Sequence, residues 1–238
     1  MRTRAMVGAA AVALLGVMTF AQSATAQEAD PCDAPPPGAI VGTEGRDVLR
    51  GTPGPDFILG LGGDDVIFGL GGDDMIAGCL GNDIIFAGDG NDQIAGDNLS
   101  FFGDPNAAGG NDLIVAGDGD DEVLAGPGND FVLGEGGNDN IFLAQGNDKA
   151  DAGSGDDTVI GGLGDDFING GPGNDQLFGG PDNDFIIGGP GDDALNGDVP
   201  PPPPDTPPPP VPPGGVDTCI GAGGADTATG CERAIGVA

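Results

Sequence analysis

Residues 161–196 read GGLGDDFIN, GGPGNDQLF, GGPDNDFII, GGPGDDALN, four nine-residue units without a gap. Each carries Asp at its sixth place and an aliphatic residue at its eighth. A period this short marks a repeat architecture, in which a unit buries its apolar side only by stacking on its neighbours. The frame runs back to Gly42 and forward to Thr229, and all 18 units keep Asp at the sixth place, from Asp47 to Asp226. The fourth place is Gly in every unit but one, where it is Asp182. The fifth is Asn or Asp from Asp64 to Asp192 and something else in the two units at each end. Insertions at 98–108 and 199–213 both enter after the second place of a unit and leave the frame intact. Insertions are tolerated at exposed turn tips, so the glycine-rich half of each unit reads as a surface turn.

The last three places read as a short strand, as in Phe57-Ile58-Leu59 or Phe185-Ile186-Ile187. Alternation sends the eighth place inward and the seventh and ninth outward. Leu49, Ile58, Ile67, Ile76, Ile85 and their successors to Leu195 thus form the expected inner ladder, with Ala150 and Ala228 as weak rungs. Two strands and two turns close one coil in 18 residues. Coils stack about 4.8 Å apart as two parallel sheets, and about nine of them make a rod on the order of 40 Å long. The expected fold is all-β, a parallel β-roll with two repeats per coil. Gly at the first, second and fourth places is expected to supply backbone angles closed to other residues. The turn of Gln145 lacks the double Gly (Leu143-Ala144) and faces the weak rung Ala150, so its coil is expected to be the weakest.

Composition agrees. There are 50 Gly among 238 residues, 11 Phe, and no Trp, Tyr or His, which suits a thin solenoid better than a bulky core. Six basic residues face 39 acidic ones. A net charge of −33 excludes nucleic acid as a natural partner and opposes compaction unless cations neutralise it. Residues 1–26 read as a secretory signal: Arg2 and Arg4, an uncharged apolar run over 5–20, then Ala24-Thr25-Ala26 as a cleavage site. The alternative, a membrane anchor, is disfavoured by the 16-residue length of that run. No second apolar run follows, so no membrane insertion is expected and the mature chain should be secreted and soluble. Cutting after Ala26 leaves 4 basic and 39 acidic residues, a net −35.

Residues 27–41 form an acidic, Pro-rich leader, 42–229 the roll, and 230–238 a tail. The four Cys lie near the two ends of the roll. Cys219–Cys231 is the favoured pair, with Cys32–Cys79 beside it, each stapling an open end in an oxidising compartment. Core packing is the alternative for Cys219, which holds an eighth place. The prolines within 200–213 are expected to be an extended spacer, and Phe101-Phe102 to tuck onto the roll.

Stacking lines the sixth-place carboxylates into two columns, one along each turn edge, with neighbours about one strand spacing apart. Bare like charges at that distance repel. A hard divalent cation between successive turns removes the repulsion. Calcium, with six to eight oxygen ligands at flexible geometry, suits carboxylates and turn carbonyls better than magnesium does. A purely solubilising acidic surface would not hold one place fixed across two insertions.

These units resemble the RTX, or haemolysin-type, calcium-binding nonapeptide GGxGxDxUx, over roughly four fifths of the chain. The resemblance implies a right-handed parallel β-roll holding several calcium ions between consecutive turns of one edge. Carried over by position, the implied metal ligands are Asp65, Asp74, Asp83, Asp92, Asp112, Asp121, Asp130, Asp139, Asp148, Asp157, Asp166, Asp175, Asp184 and Asp193. Asp182, in place of a turn Gly, perturbs its own turn.

No enzyme is expected. Without His, neither a HExxH zinc motif nor a Ser-His-Asp arrangement can form, and Ser154 in Ala152-Gly153-Ser154-Gly155 is not a nucleophile elbow. Two lines of apolar residues are expected to face outward together. One is the seventh-place set Val48, Val66, Ile84, Leu113, Phe131, Phe167 and Phe185, broken by Lys149. The other is the ninth-place set Leu59, Ala77, Ala95, Leu124, Phe142, Ile160 and Phe178. Exposed apolar ladders can mark a contact surface, and the alternative is that they only support neighbouring rungs. The expectation is a secreted calcium-binding protein that folds on calcium, with a structural or adhesive role. The alternatives are a calcium-dependent partner- or surface-binding module, self-associating or attaching to a cell surface, and a non-catalytic remnant or accessory of an RTX toxin or enzyme.

Overall fold

Strand pairing follows the 18-residue step. In the computed structural model, which describes residues 32, 35–97, 109–197 and 216–237, Ile58 pairs with Ile76 and Ile67 with Ile85, all in parallel. Among the described residues twenty strands make two ten-stranded parallel sheets, and successive strands alternate between them. Sheet I contains Phe57–Gly62, Met75–Leu80 and every second strand after them, starting from Ile40–Val41. Sheet II contains Val48–Arg50, Val66–Gly71, Ile84–Asp89 and their successors. The result is an all-β solenoid of about nine turns. Pairing passes straight across both insertions: Ile85 pairs with Ile114, and Ile186 with Cys219. The insertions, the proposed signal at 1–26, the tip Phe101-Phe102 and the prolines of 200–213 lie outside the described residues.

The eighth-place ladder is the core. Ile58, Ile67, Ile76, Ile85 and the rungs beyond them are fully buried between the sheets. Burial of each Ile or Leu contributes about 1.5–3 kcal/mol, and all belong to one continuous cluster. First-place Ala87, Ala116, Ala125 and Ala152 join that cluster, as does Leu143. Leu143 is fully buried in the same core as the weak rung Ala150, so this unit carries its large side chain at the first place instead of the eighth.

Three expectations need correction. First, the strands are not all three residues long. Nine of them, such as Phe57–Gly62 and Phe131–Gly136, have six and run into the glycine-rich half of the next unit. Their second place takes a left-handed conformation, which Gly171, Gly180 and Gly189 share after strands of only three residues. Leu61, Leu70, Cys79, Glu135 and Ala144 all adopt it, with φ between 74° and 90°. Second, first-place glycines such as Gly60 and Gly161 have no positive φ, whereas Gly162 and Gly164 at the second and fourth places do. At first-place glycines such as these an added Cβ would meet the sixth-place carboxylate and a carbonyl of the next coil, whereas five units accommodate Ala or Leu there.

Third, the two apolar lines do not share a face. Odd units build sheet II and even units sheet I, so the lines lie on opposite sides of the roll. The even line is partly covered as well: Leu59, Ala77, Ala95 and Leu124 are buried. Cys32, Phe57 and Leu61 pack on Leu59, Ala77, Cys79 and Ala95 in a small second core. That core is closed by the disulfide Cys32–Cys79. The other staple, Cys219–Cys231, stands at the far end, and both match the expected pairings. Beyond Thr229 the chain adds one more strand, Arg233–Ile235, paired with Thr218–Ile220.

Candidate metal centres along the turn edges

Each sixth-place Asp ends a turn and turns its carboxylate inward under the coil. All fourteen residues from Asp65 to Asp193 are buried, with no more than 3% of their surface exposed. The Oδ1 of each accepts a hydrogen bond from the backbone N–H of the sixth-place Asp one coil earlier. Asp65 N–H donates to Asp83, Asp83 to Asp112, Asp112 to Asp130, at 2.7 to 2.8 Å. The other edge runs likewise through Asp74, Asp92, Asp121 and Asp139. The two columns exist as expected, with steps of 18 residues widened to 29 and 33 where the insertions intervene.

The second oxygen is the informative one. Oδ2 of all fourteen is buried with no hydrogen-bond partner. Leaving a buried acceptor unsatisfied costs on the order of 1–3 kcal/mol, more for a charge, so the same orphan repeated along both edges calls for a common occupant. The first-place glycines show where these oxygens point. A Cβ on Gly60 would collide with Oδ2 of Asp65 and with the carbonyl oxygen of Gly78, one coil on. Gly78 meets Asp83 and Gly96, Gly161 meets Asp166 and Gly179, and Gly170 meets Asp175 and Gly188 in the same way. At each such turn a carboxylate oxygen and a carbonyl oxygen converge with no donor between them. Two hard anionic or dipolar oxygens facing each other suit a hard cation. Among the described residues no three His, Cys, Asp or Glu side chains converge on one point. A full shell here therefore needs the turn carbonyls beside the Asp, as the glycine content allows.

Burial and like charge act on these groups together. Desolvation first, then the neighbouring carboxylates, push Asp83 and Asp92 up to about 6, and desolvation alone does the same to Asp148. Asp112, Asp121, Asp139, Asp166 and Asp175 rise to about 7 for the same leading cause. Asp130 and Asp184 reach about 8. Asp65, Asp74, Asp157 and Asp193 are raised too, again by burial above all. The backbone N–H each accepts opposes the shift without cancelling it.

The fifth place provides a control inside the same chain. Its side chains form a second, exposed ladder in which Oδ1 accepts the N–H of the next coil's fifth-place residue, as Asp64 does from Asn82 and Asn82 from Asn111. One edge alternates strictly: Asp73, Asn91, Asp120, Asn138, Asp156, Asn174, Asp192. The other, Asp64, Asn82, Asn111, Asn129, Asn147, Asp165, Asn183, never sets two Asp in succession. Asn amides donate to the Asp beside them, and the Asn82 and Asn183 contacts hold Asp64 and Asp165 below the usual carboxylate range. A ladder that needs only hydrogen bonds thus avoids adjacent charges. The sixth place, one residue on, is Asp without exception, so it requires the charge itself.

The ends differ in kind. Oδ2 of Asp47 accepts from the N–H and hydroxyl of Thr43, and Oδ2 of Asp56 from the N–H of Thr52. Those first turns satisfy their carboxylates internally, which fits their omission from the ligand set. Asp217 and Asp226, also omitted, are buried members of the columns. Their sixth-place position was a sufficient signal. Glu232 closes one column by accepting the N–H of Asp217 at 2.7 Å, and no position in the nine-residue frame marks it. Asp97 is a further buried carboxylate that the frame did not single out.

The family model for the RTX calcium-binding nonapeptide repeat, four copies long, matches residues 41–76, 71–98, 106–141, 142–177 and 169–199. The chain belongs to this RTX calcium-binding repeat family. No curated protein matches it. In this RTX solenoid the two sheets are the frame that sets the glycine turns one above another.

Proposed function

We propose that this RTX protein is a secreted, non-catalytic calcium-binding roll that folds when calcium enters its two columns, and that its role is structural or adhesive. The observation that carries this reading is the contrast between adjacent places: mixed Asp and Asn on the exposed ladder, Asp alone on the buried one, with the second oxygen of the fourteen from Asp65 to Asp193 unpartnered. The ligands are the fourteen residues Asp65 to Asp193 of the sixth place, with carbonyls of the first-place residues one coil on. Bound calcium supplies the positive charge that lets these carboxylates stay ionised under the coils. Two disulfides and the apolar run before Ala26 support export to an oxidising, calcium-rich space. Extracellular modules bind calcium at about 10⁻⁴ to 10⁻³ M, so the chain would remain open inside the cell and close outside by mass action. Circular dichroism of the mature chain during calcium titration should show strand content rising with calcium and little change with magnesium. Equal order in chelator and in millimolar calcium would overturn the reading.

The outer face of sheet II supports a second role, self-association. Phe131, Phe167, Phe185 and Phe86 are exposed on it, and Phe68 stacks on Phe86 as Phe167 does on Phe185. Three of the four basic residues after Ala26, namely Arg50, Lys149 and Arg233, stand on this face, whose seventh and ninth places carry one acid, Asp151. A two-fold axis along the roll lays the seventh-place column of one copy over the ninth-place column of another, bringing Lys149 to the second copy's Asp151. Phe131→Asp with Phe167→Asp should abolish any dimer seen by sedimentation and leave calcium affinity unchanged. A wild type that is strictly monomeric in calcium removes this role.

A further inference from the structure

Among the described residues, one turn carries an Asp at its second place. The seventh unit opens with Gly96-Asp97, is interrupted by residues 98–108 and resumes at Gly109. Asp97 therefore holds a second place, which the nonapeptide pattern gives to glycine. Only 3% of its surface is exposed. Its Oδ1 accepts the N–H of Gly110 at 3.0 Å, tying the two ends of the insertion together. Its Oδ2 is buried and has no hydrogen-bond partner.

The neighbours of that oxygen are acceptors. A Cβ on Gly109 would collide with both Asp97 Oδ2 and the carbonyl oxygen of Pro127, so the two oxygens flank one small space. A Cβ on Gly126 would meet Asp97 Oδ2 as well. At Gly96, in the same turn, the corresponding space is flanked by Oδ2 of Asp112 and the carbonyl oxygen of Ala125. This turn thus offers two orphaned carboxylate oxygens and two carbonyl oxygens, where an ordinary turn offers one of each. Asp112, Asp130 and Asp83 all act on Asp97 as like charges, and no basic side chain offsets them.

We propose that Asp97 makes the turn carrying the first insertion a separate divalent-cation site, in which Asp97 and Asp112 act together. The proposal rests on the reading of the sixth-place Asp as calcium ligands and adds a donor that the repeat pattern lacks. Calcium affinity rises with the number of charged ligands, so this site fills before the single-carboxylate turns. Its occupation also clamps the insertion, because Asp97 holds Gly110 through one oxygen and the cation through the other.

The test is Asp97→Asn in the mature chain, compared with wild type by native mass spectrometry and calorimetry during calcium titration. Asn keeps an Oδ1 acceptor for Gly110, and its amide can donate to the Pro127 carbonyl. It therefore preserves any purely structural role and removes only the charged donor. The proposal expects one fewer calcium per chain and at least a tenfold loss of affinity in the first ions bound. Unchanged stoichiometry and affinity in D97N, with wild type binding calcium, overturn the assignment of Asp97 and leave the general reading standing. A wild type that binds no calcium overturns both. Should D97N fail to reach the wild-type circular dichroism, terbium-soaked crystals of the unaltered chain decide the matter. A peak within about 2.6 Å of the Asp97 carboxylate supports the site. Peaks at other turns and none at Asp97 overturn it.

Discussion

At the scale of single residues, the fifth and sixth places behave as different kinds of acid. Asp139 and Asn138 are adjacent and each joins a ladder: Asn138 Oδ1 accepts the N–H of Asp156 one coil on, and Asp139 Oδ1 that of Asp121 one coil back. Only Asp139 is buried with an orphaned oxygen. Asp139→Asn keeps the Oδ1 acceptor for Asp121 and removes a buried charge. Without calcium it should be neutral or stabilising. With calcium it should weaken the local ion at least tenfold, so that thermal melts of the variant move in opposite directions in chelator and in calcium. Asn138→Asp should do something smaller. It puts a carboxylate between those of Asp120 and Asp156 and loses the amide donor to Asp120, costing about 0.2–1 kcal/mol, a loss that added salt should reduce. The fifth-place Asn and Asp were visible in the sequence, but their role was not. It depends on the direction each side chain takes: forward along the roll at the fifth place and backward at the sixth.

At the scale of the strand and its turn, two positions separate packing from backbone strain. Leu143 fills the core at a first place where other units carry Gly or Ala. Leu143→Ala should cost about 2–5 kcal/mol in calcium, read from denaturant unfolding, since the eighth place of the same unit is only Ala150. Glu135 is exposed at a second place with φ 74°. Glu135→Gly should stabilise by about 1 kcal/mol, because a left-handed backbone costs an ordinary residue about that much and its side chain is on the surface. The inner ladder was fully legible from period and alternation. Strand length was not. A leucine or glutamate in a left-handed conformation gives no local sign of it, and only pairing with the neighbouring coils holds it there.

At the scale of the whole molecule, the columns set the response to pH. Unfolded carboxylates titrate near 3.8, whereas in the roll they are raised, several to about 6, 7 or 8. A raised folded value means the roll takes up protons more readily than the open chain. That stability is present below about pH 4 and is lost as pH climbs through about 6 to 8. In chelator, therefore, strand content by circular dichroism should increase on acidification from pH 8 to pH 5. In calcium the roll should persist at pH 8, and acid should release the ions by competing for the same oxygens. Order that is independent of pH without calcium would count against buried columns.

The sequence alone determined the period, the coil of two units, the inner ladder and the columns of sixth-place carboxylates. Each is a regularity along the chain, and stacking repeats it without adding to it. Tertiary structure decided the rest. Parity sends odd and even units to opposite sheets, so two lines that looked like one stripe are separated by the thickness of the roll. Leu59 and Ala77 lie in a small second core with Cys32, which its bond to Cys79 holds in place. Asp97 matters because the two ends of an insertion return to one turn and leave its second oxygen facing the Pro127 carbonyl. Periodicity fixes which residues share a column; only closure of the chain on itself fixes which atoms meet across it.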